Sequence, residues 1–194
     1  MASRGNGVVR LSWNAPSSTG GIRVADYAVQ YSVNAGASWV TMRDGVSTKT
    51  SAVLSGLTIG RDHIFRVASV GRAGAGDFSS PSGVVRPATV PQAPVRLMAT
   101  AGQGQGQAIV SWATPVSDGG SPMTQYLVQY ASRGGRWVTA ASVGGSTASV
   151  TVSGLASNRQ YGFRVFAVND LGMGVSSRSA FIRTPAAIAA LARV

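Results

Sequence analysis

The stretch Trp112–Tyr130, WATPVSDGGSPMTQYLVQY, decides the fold, because it recurs earlier in the chain as Trp13–Tyr31, WNAPSSTGGIRVADYAVQY. In both stretches a tryptophan is followed by a loop rich in Pro, Ser and Gly, and then by alternating tyrosines. Trp112 lies 99 residues after Trp13, and the tyrosines keep the same offset. A repeat of this length with shared aromatic anchors predicts two copies of one domain.

Each copy is made of short segments in which apolar and polar residues alternate. In the first copy Tyr27, Val29 and Tyr31 fall on one face of a strand, with Ala28 and Gln30 on the other. A period of two is typical of half-buried β-strands. Seven such strands separated by turn residues predict a β-sandwich in each copy, so the expected fold is all-β.

The repeat divides the chain into two domains joined by a short linker. We predict domain 1 over residues 1–87, a Pro-rich linker over 88–94, domain 2 over 95–185 and an Ala-rich tail over 186–194. Residues 87–94 carry three prolines, a composition that favours an extended, semi-rigid connection. Domains of about 90 residues bury a core large enough to fold without staples, and the chain has no cysteine.

Taken together, these residues resemble the fibronectin type III domain over nearly the whole chain, in two copies. In the second copy the matching residues are Trp112, Pro115, Asp118–Pro122, Tyr126–Tyr130, Ser153–Leu155, Tyr161–Val165 and Ala167–Asn169. The resemblance implies two immunoglobulin-like sandwiches of seven antiparallel strands in Greek-key order. It also implies a spacer or binding module of a larger protein that is not itself catalytic.

The first copy departs from this pattern at its start. Val95–Thr100 is the predicted first strand of the second copy, and an offset of 99 places its counterpart at or before residue 1. We therefore expect the first sandwich to lack its first strand, leaving an edge of Val8–Trp13 unpaired and open to another chain. Two explanations stay open. The chain is an excerpt of a longer array, or a neighbouring copy donates its tail, Ala186–Val194, and builds a filament.

The charge of the chain is strongly positive. It has 17 basic residues against 6 acidic ones, a formal net charge of +11, and Lys49 is its one lysine. One interpretation is an arginine-rich composition that reflects a GC-rich genome. The other is a surface for polyanions such as nucleic acid, acidic polysaccharide or an anionic cell wall. The charges are scattered, which disfavours a dedicated nucleic-acid arm.

The sequence shows no catalytic or metal-binding constellation. His63 is the one histidine, no serine lies in a nucleophile motif, and the six aspartates are spread over both domains. His63 stands where the second copy has Tyr161, which in the family caps a strand corner through its hydroxyl. We interpret His63 as a structural residue that replaces part of that bond. We expect no enzyme activity, no cofactor and no metal.

The candidate binding surface lies mainly in the second copy. If Phe163 and Val165 face the core, Phe166 faces out beside Arg164, on the sheet that also carries Gln129. An exposed aromatic residue with an arginine is a reasonable contact patch; packing of the ring against a loop or the other domain is the alternative. Loop tips at the ends of the sandwiches complete the candidate surface with Asp118, Asp170 and Arg72.

The leading functional hypothesis is a non-catalytic tandem module that spaces or presents surfaces for protein partners within a larger secreted, cell-surface or particle-borne protein. One alternative is a self-assembling subunit of a filament or phage-like particle, completed by a strand from its neighbour. The other is a basic module that binds acidic polysaccharide or another polyanion.

No apolar run approaches the roughly 18–20 residues of a membrane helix, and residues 1–7 lack the apolar core of a signal peptide. We expect an extracellular or cell-surface location, or a virus particle.

Overall fold

The computed structural model describes residues 1–186, which form two compact units divided between Thr89 and Val90. The division falls within the predicted linker, residues 88–94. Every regular element in the described part of the chain is a β-strand, and the all-β prediction is confirmed.

Unit 1 is a sandwich of two antiparallel sheets. Its strands are β1 (Ala2–Gly5), β2 (Val8–Ser12), β3 (Asp26–Ser32), β4 (Val40–Thr41), β5 (Ser51–Leu54), β6 (Ile64–Gly71) and β7 (Gly74–Ala75). One sheet has the order β1-β2-β5, and the other has the order β4-β3-β6-β7.

Unit 2 repeats this arrangement. Its strands are β8 (Val95–Ala101), β9 (Ala108–Ala113), β10 (Met123–Ser132), β11 (Val138–Gly144), β12 (Ser149–Val152), β13 (Gln160–Asn169), β14 (Gly172–Ser176) and β15 (Ala180–Arg183). One sheet has the order β12-β9-β8 and the other β11-β10-β13-β14, with β15 also paired to β13. Since β14 and β15 pair with opposite ends of β13, they are two halves of one interrupted edge strand. The unit therefore has seven strand positions, as predicted.

Alternation along the strands builds the two cores. In β2, Val9 and Leu11 are buried while Arg10 between them is exposed. The tryptophan of each repeat packs on the first tyrosine of that repeat. The ring centroids are 5.3 Å apart both for Trp13 and Tyr27 and for Trp112 and Tyr126. The hydrophobic effect on these alternating faces is what holds each pair of sheets together.

The prediction that the first sandwich lacks its first strand is wrong. β1 pairs with β2 along its whole length, from Ala2 opposite Leu11 to Gly5 opposite Val8. The offset of 99 fails here because the loop after β1 is only residues 6–7, whereas residues 102–107 separate β8 from β9. Gly7 has a φ of 72°, a left-handed conformation that suits glycine in so tight a turn.

This correction also removes the basis of the strand-donation hypothesis. β2 lies between β1 and β5 and has a partner on both of its edges, so its edge is not open to a strand from another chain. The predicted donor was the tail, of which residues 187–194 lie outside the described residues.

The tyrosine corner is present in unit 2 and absent from unit 1. The Tyr161 hydroxyl accepts a hydrogen bond from the Ala156 backbone N–H at 3.0 Å. His63 is buried at the equivalent position, but its Nδ1 lies 2.8 Å from the carbonyl oxygen of Arg61. His63 is therefore a buried structural residue that bonds the backbone, but it does not reproduce the corner bond, because its ring reaches a residue two positions upstream and Tyr161 reaches one five positions upstream.

Candidate functional site

The candidate site is built on two neighbouring strands of unit 2 that place a glutamine opposite an arginine. β10 and β13 are antiparallel, and Gln129 is the direct partner of Arg164. Partners of this kind project their side chains from the same face of a sheet. Here Arg164 Nε donates a hydrogen bond to Gln129 Oε1 at 2.9 Å. The structure thus joins two of the residues that the sequence placed on one face.

Two aromatic rings hold the same guanidinium. The Cζ atom of Arg164 lies 4.3 Å from the ring centroid of Trp137 and 5.1 Å from that of Phe166. Contacts of this length are favourable because a cation is attracted to the electron-rich face of an aromatic ring. Phe166 shares the face of Arg164, as predicted, and is half-buried. Trp137, just before β11, was not among the predicted site residues.

Unit 1 carries the same arrangement. Arg66 Nε donates to Gln30 Oε1 at 2.9 Å, and the Arg66 Cζ atom lies 4.2 Å from the Trp39 ring and 4.4 Å from the Phe78 ring. Gln30 and Arg66 are direct partners on β3 and β6, like their counterparts in unit 2. We call these two groups the arginine faces: Gln30, Trp39, Arg66 and Phe78 in unit 1, and Gln129, Trp137, Arg164 and Phe166 in unit 2.

The second ring of the arginine face comes from a different segment in each unit. In unit 2 the ring is Phe166 on β13, and the residue opposite it on β14 is Ser176. In unit 1 the position equivalent to Phe166 is Ala68, and Phe78 takes the place of the serine. The equivalence is supported by the next residue along, since Ser79 and Ser177 each accept a backbone N–H from the neighbouring strand through Oγ.

The arginine faces present unused hydrogen-bond donors. In the part of the chain that the structure describes, Nε is the one guanidinium nitrogen of Arg66 and of Arg164 that donates a hydrogen bond. Neither side chain forms an ion pair there; Arg86 and Asp62 do, at 2.8 Å. The Nη donors of both arginines are therefore available to an acceptor outside the chain.

The remaining predicted site residues do not join these faces. Asp118 is exposed in the β9–β10 loop, where its Oδ1 accepts the Gly120 N–H at 2.8 Å. Asp170 follows β13, and its Oδ2 accepts the Ser121 hydroxyl at 3.4 Å. The two aspartates thus shape the loops at one end of unit 2. Arg72 belongs to unit 1, in the exposed turn between β6 and β7.

Residues 1–186 contain no helix of the length and apolar character needed to cross a membrane. Within the same residues, no three side chains of the His, Cys, Asp or Glu type come together in a group able to hold a metal ion.

The chain belongs to the fibronectin type III family. The model of the Fibronectin type III domain matches residues 2–85 and residues 92–183. The first match begins at the residue where β1 begins, in agreement with a complete first sandwich. The predicted pair of tandem domains is confirmed.

Relatives with longer chains share this pair of domains. Human myomesin-2 is 29% identical over 171 residues, which cover 86% of this chain and 12% of that protein. The juxtamembrane domain-associated catenin of Caenorhabditis elegans is 32% identical over 192 residues, or 92% of this chain and 15% of that protein. A crystal structure of titin domains matches with a TM-score of 0.55 and 23% identity over 82% of this chain and 55% of that one, which shows the fold. The chain thus spans less than a sixth of the length of these two relatives.

Proposed function

We propose that the chain is a non-catalytic binding and spacer segment of a larger protein, and that its two arginine faces contact protein partners. The observation that carries the proposal is the repeated guanidinium between two aromatic rings, with Nη donors that bond nothing in the described chain. The match to a small fraction of much longer relatives supports a place within a longer protein.

An oriented arginine is well suited to bind a partner. Its planar guanidinium donates two parallel hydrogen bonds to a carboxylate, and the rings already restrict its rotation, so little further freedom is lost on binding. Tryptophan and arginine are also the residues that most often dominate the energy of protein interfaces. The expected contact is a partner carboxylate on Arg66 or Arg164, with apolar side chains against the adjacent rings.

The non-catalytic part of the proposal is supported by the position of the one histidine. His63 is 1% exposed, and its Nδ1 is engaged with the carbonyl oxygen of Arg61. A general base must reach the proton that it abstracts, and a ring buried beneath the surface does not reach a substrate. The extracellular or cell-surface location stays a prediction, as does polyanion binding, which a salt titration of heparin binding tests through its slope.

Selection from a displayed random peptide library on the immobilised full chain tests the proposal. We expect selected peptides to bind roughly tenfold or more weakly to a variant with Arg66→Ala and Arg164→Ala, since interface arginines often contribute that much. Arg10→Ala is the matched control, because Arg10 is exposed on the other sheet of unit 1. Equal binding by the double variant and the wild type would contradict the proposal.

A further inference from the structure

A groove of about 550 Å³ opens on unit 2 between the β10–β11 turn and β15. It is a surface feature separate from the centre of the arginine face, although the two share one tryptophan. The residues that give the groove its chemistry are Ser132, Arg133, Trp137, Gln160, Gly162 and Phe181. Its lining thus combines aromatic surface, polar groups and a cation, which is the usual composition of a recognition site.

A glycine makes room for the aromatic wall of the groove. Gly162 on β13 is the direct partner of Phe181 on β15. A Cβ atom at position 162 would lie 2.8 Å from Phe181 Cε1, so any larger residue would displace the ring. With glycine there, Phe181 lines the groove while remaining 65% exposed. The exposed ring is therefore available to contact a ligand in the groove.

The rim of the groove is positive. Arg133 lines it directly, and Arg159 Nη2 donates to the Ser132 hydroxyl at 3.3 Å, which holds a second guanidinium beside it. No aspartate lines the groove. In the described part of the chain, neither arginine forms an ion pair. Both charges are therefore available to an anionic ligand.

Unit 1 has a groove at the equivalent place with different chemistry. Its volume is about 420 Å³, and Asn34, Asp62, Ile64 and Val84 are among the residues that line it. By alignment of the repeats these four residues replace Arg133, Gln160, Gly162 and Phe181 respectively. The basic and aromatic character is therefore not a requirement of the fold, because the same sandwich forms without it.

We propose that the groove of unit 2 binds an acidic, extended segment of a partner protein. Carboxylates of the segment pair with Arg133 and Arg159, and an apolar side chain lies against Phe181 and Trp137. The two charges lie beside the Phe181 and Trp137 rings, a combination that suits a segment carrying both carboxylates and apolar side chains. The inference rests on the proposed binding function but uses residues outside the centre of the arginine face.

The test uses the full chain and a defined probe, a fluorescein-labelled twelve-residue peptide of alternating Glu and Leu, with Gln in place of Glu as the uncharged control peptide. We expect the acidic peptide to shift the NMR signals of Gly134, Gly162 and Phe181. Arg133→Asn and Phe181→Val, which reproduce the residues of unit 1, are each expected to weaken binding roughly tenfold. The matched controls are Asn34→Ala and Val84→Ala in the groove of unit 1, which leave binding unchanged.

The outcomes separate this inference from the proposed function. Unchanged binding by Arg133→Asn and Phe181→Val, or equal binding of the acidic and uncharged peptides, overturns the groove as an acidic-peptide site. Shifts of the same groove signals by a heparin oligosaccharide but not by the acidic peptide overturn it as well, and identify a polyanion site. If the groove fails while Arg66→Ala with Arg164→Ala still weakens the binding of the selected peptides, the proposed function stands.

Discussion

Removing the second ring of the arginine face in unit 2 gives a sharp test of the packing described above. Phe166→Ala deletes a half-buried ring that lies 5.1 Å from the Arg164 guanidinium. Full burial of a phenylalanine contributes about 1.5–3 kcal/mol, so half of it is worth roughly 1 kcal/mol. One cation–π contact at a partly exposed site adds about 0.5–1 kcal/mol. We expect unit 2 to lose about 1.5–2 kcal/mol of unfolding free energy.

The second part of the test places the phenylalanine ring at the position that it has in unit 1. Combining Phe166→Ala with Ser176→Phe reproduces the pair formed by Ala68 and Phe78, whose ring lies 4.4 Å from Arg66. Because residues 166 and 176 are direct partners on adjacent strands, the new ring starts from the same face of the sheet. We expect the double variant to regain at least half of the lost free energy.

Native-state hydrogen exchange provides the assay, because it reports each unit separately within the full chain. Buried amides of Val128 and Val165 in unit 2 should exchange about tenfold faster in Phe166→Ala, since about 1.4 kcal/mol corresponds to a factor of ten. Amides of Val29 and Phe65 in unit 1 are the internal control. An unchanged exchange rate in Phe166→Ala, or a further loss on adding Ser176→Phe, would refute the reasoning.

Three further predictions each concern one strand, one hydrogen bond or one ion pair. Deleting residues 2–5 removes β1 and exposes the edge of β2, so light scattering should show association that rises with concentration. Tyr161→Phe leaves the Ala156 N–H without its acceptor and should cost unit 2 about 1–2 kcal/mol in denaturant unfolding. The hydrogen bond from Arg86 lowers the pKa of Asp62 from its ordinary 3.8, so Arg86→Ala should return that pKa to near 3.8 in an NMR titration. The pair stabilises unit 1 above about pH 3.8 and ceases to do so as the pH falls through the lowered pKa.

The repeated aromatic anchors made the architecture predictable from the sequence. Trp112 and Tyr126 recur at a constant offset, and alternation marks which face of each strand is buried, so the sandwich and its core follow from period and spacing alone. The same constant offset gave a wrong prediction at the start of the chain, where it implied that the first strand was missing. Loop length between β1 and β2 is not constrained by the core, and a four-residue shorter loop moved β1 out of the expected register.

Only part of each arginine face was predictable from the sequence, because alternation gives information within long strands and little at short ones or in loops. Arg164 and Gln129 occupy outward positions on neighbouring strands, and alternation alone places them on one face. Trp137 precedes a short edge strand, where periodicity carries little information. Phe78 lies after β7, outside any strand, and it is the backbone hydrogen bonds of Gly76 and Ser79 to β6 that bring it to Arg66. The sequence pattern does not show these bonds.

The two copies differ in ways that separate structural demands from functional ones. Unit 2 has the second ring of the arginine face on β13, at Phe166, whereas unit 1 has it on the segment after β7, at Phe78. Compensation of that kind indicates that a guanidinium on this sheet has to be flanked by rings wherever they originate. The groove differs in another way: Gly162 and Phe181 of unit 2 correspond to Ile64 and Val84 of unit 1, so apolar side chains are present in both, but the exposed phenylalanine ring and the arginine are present only in the groove of unit 2. Because unit 1 forms the same sandwich without this arginine and this phenylalanine, the two residues are not needed for folding, and a ligand explains the basic groove of unit 2 better than stability does.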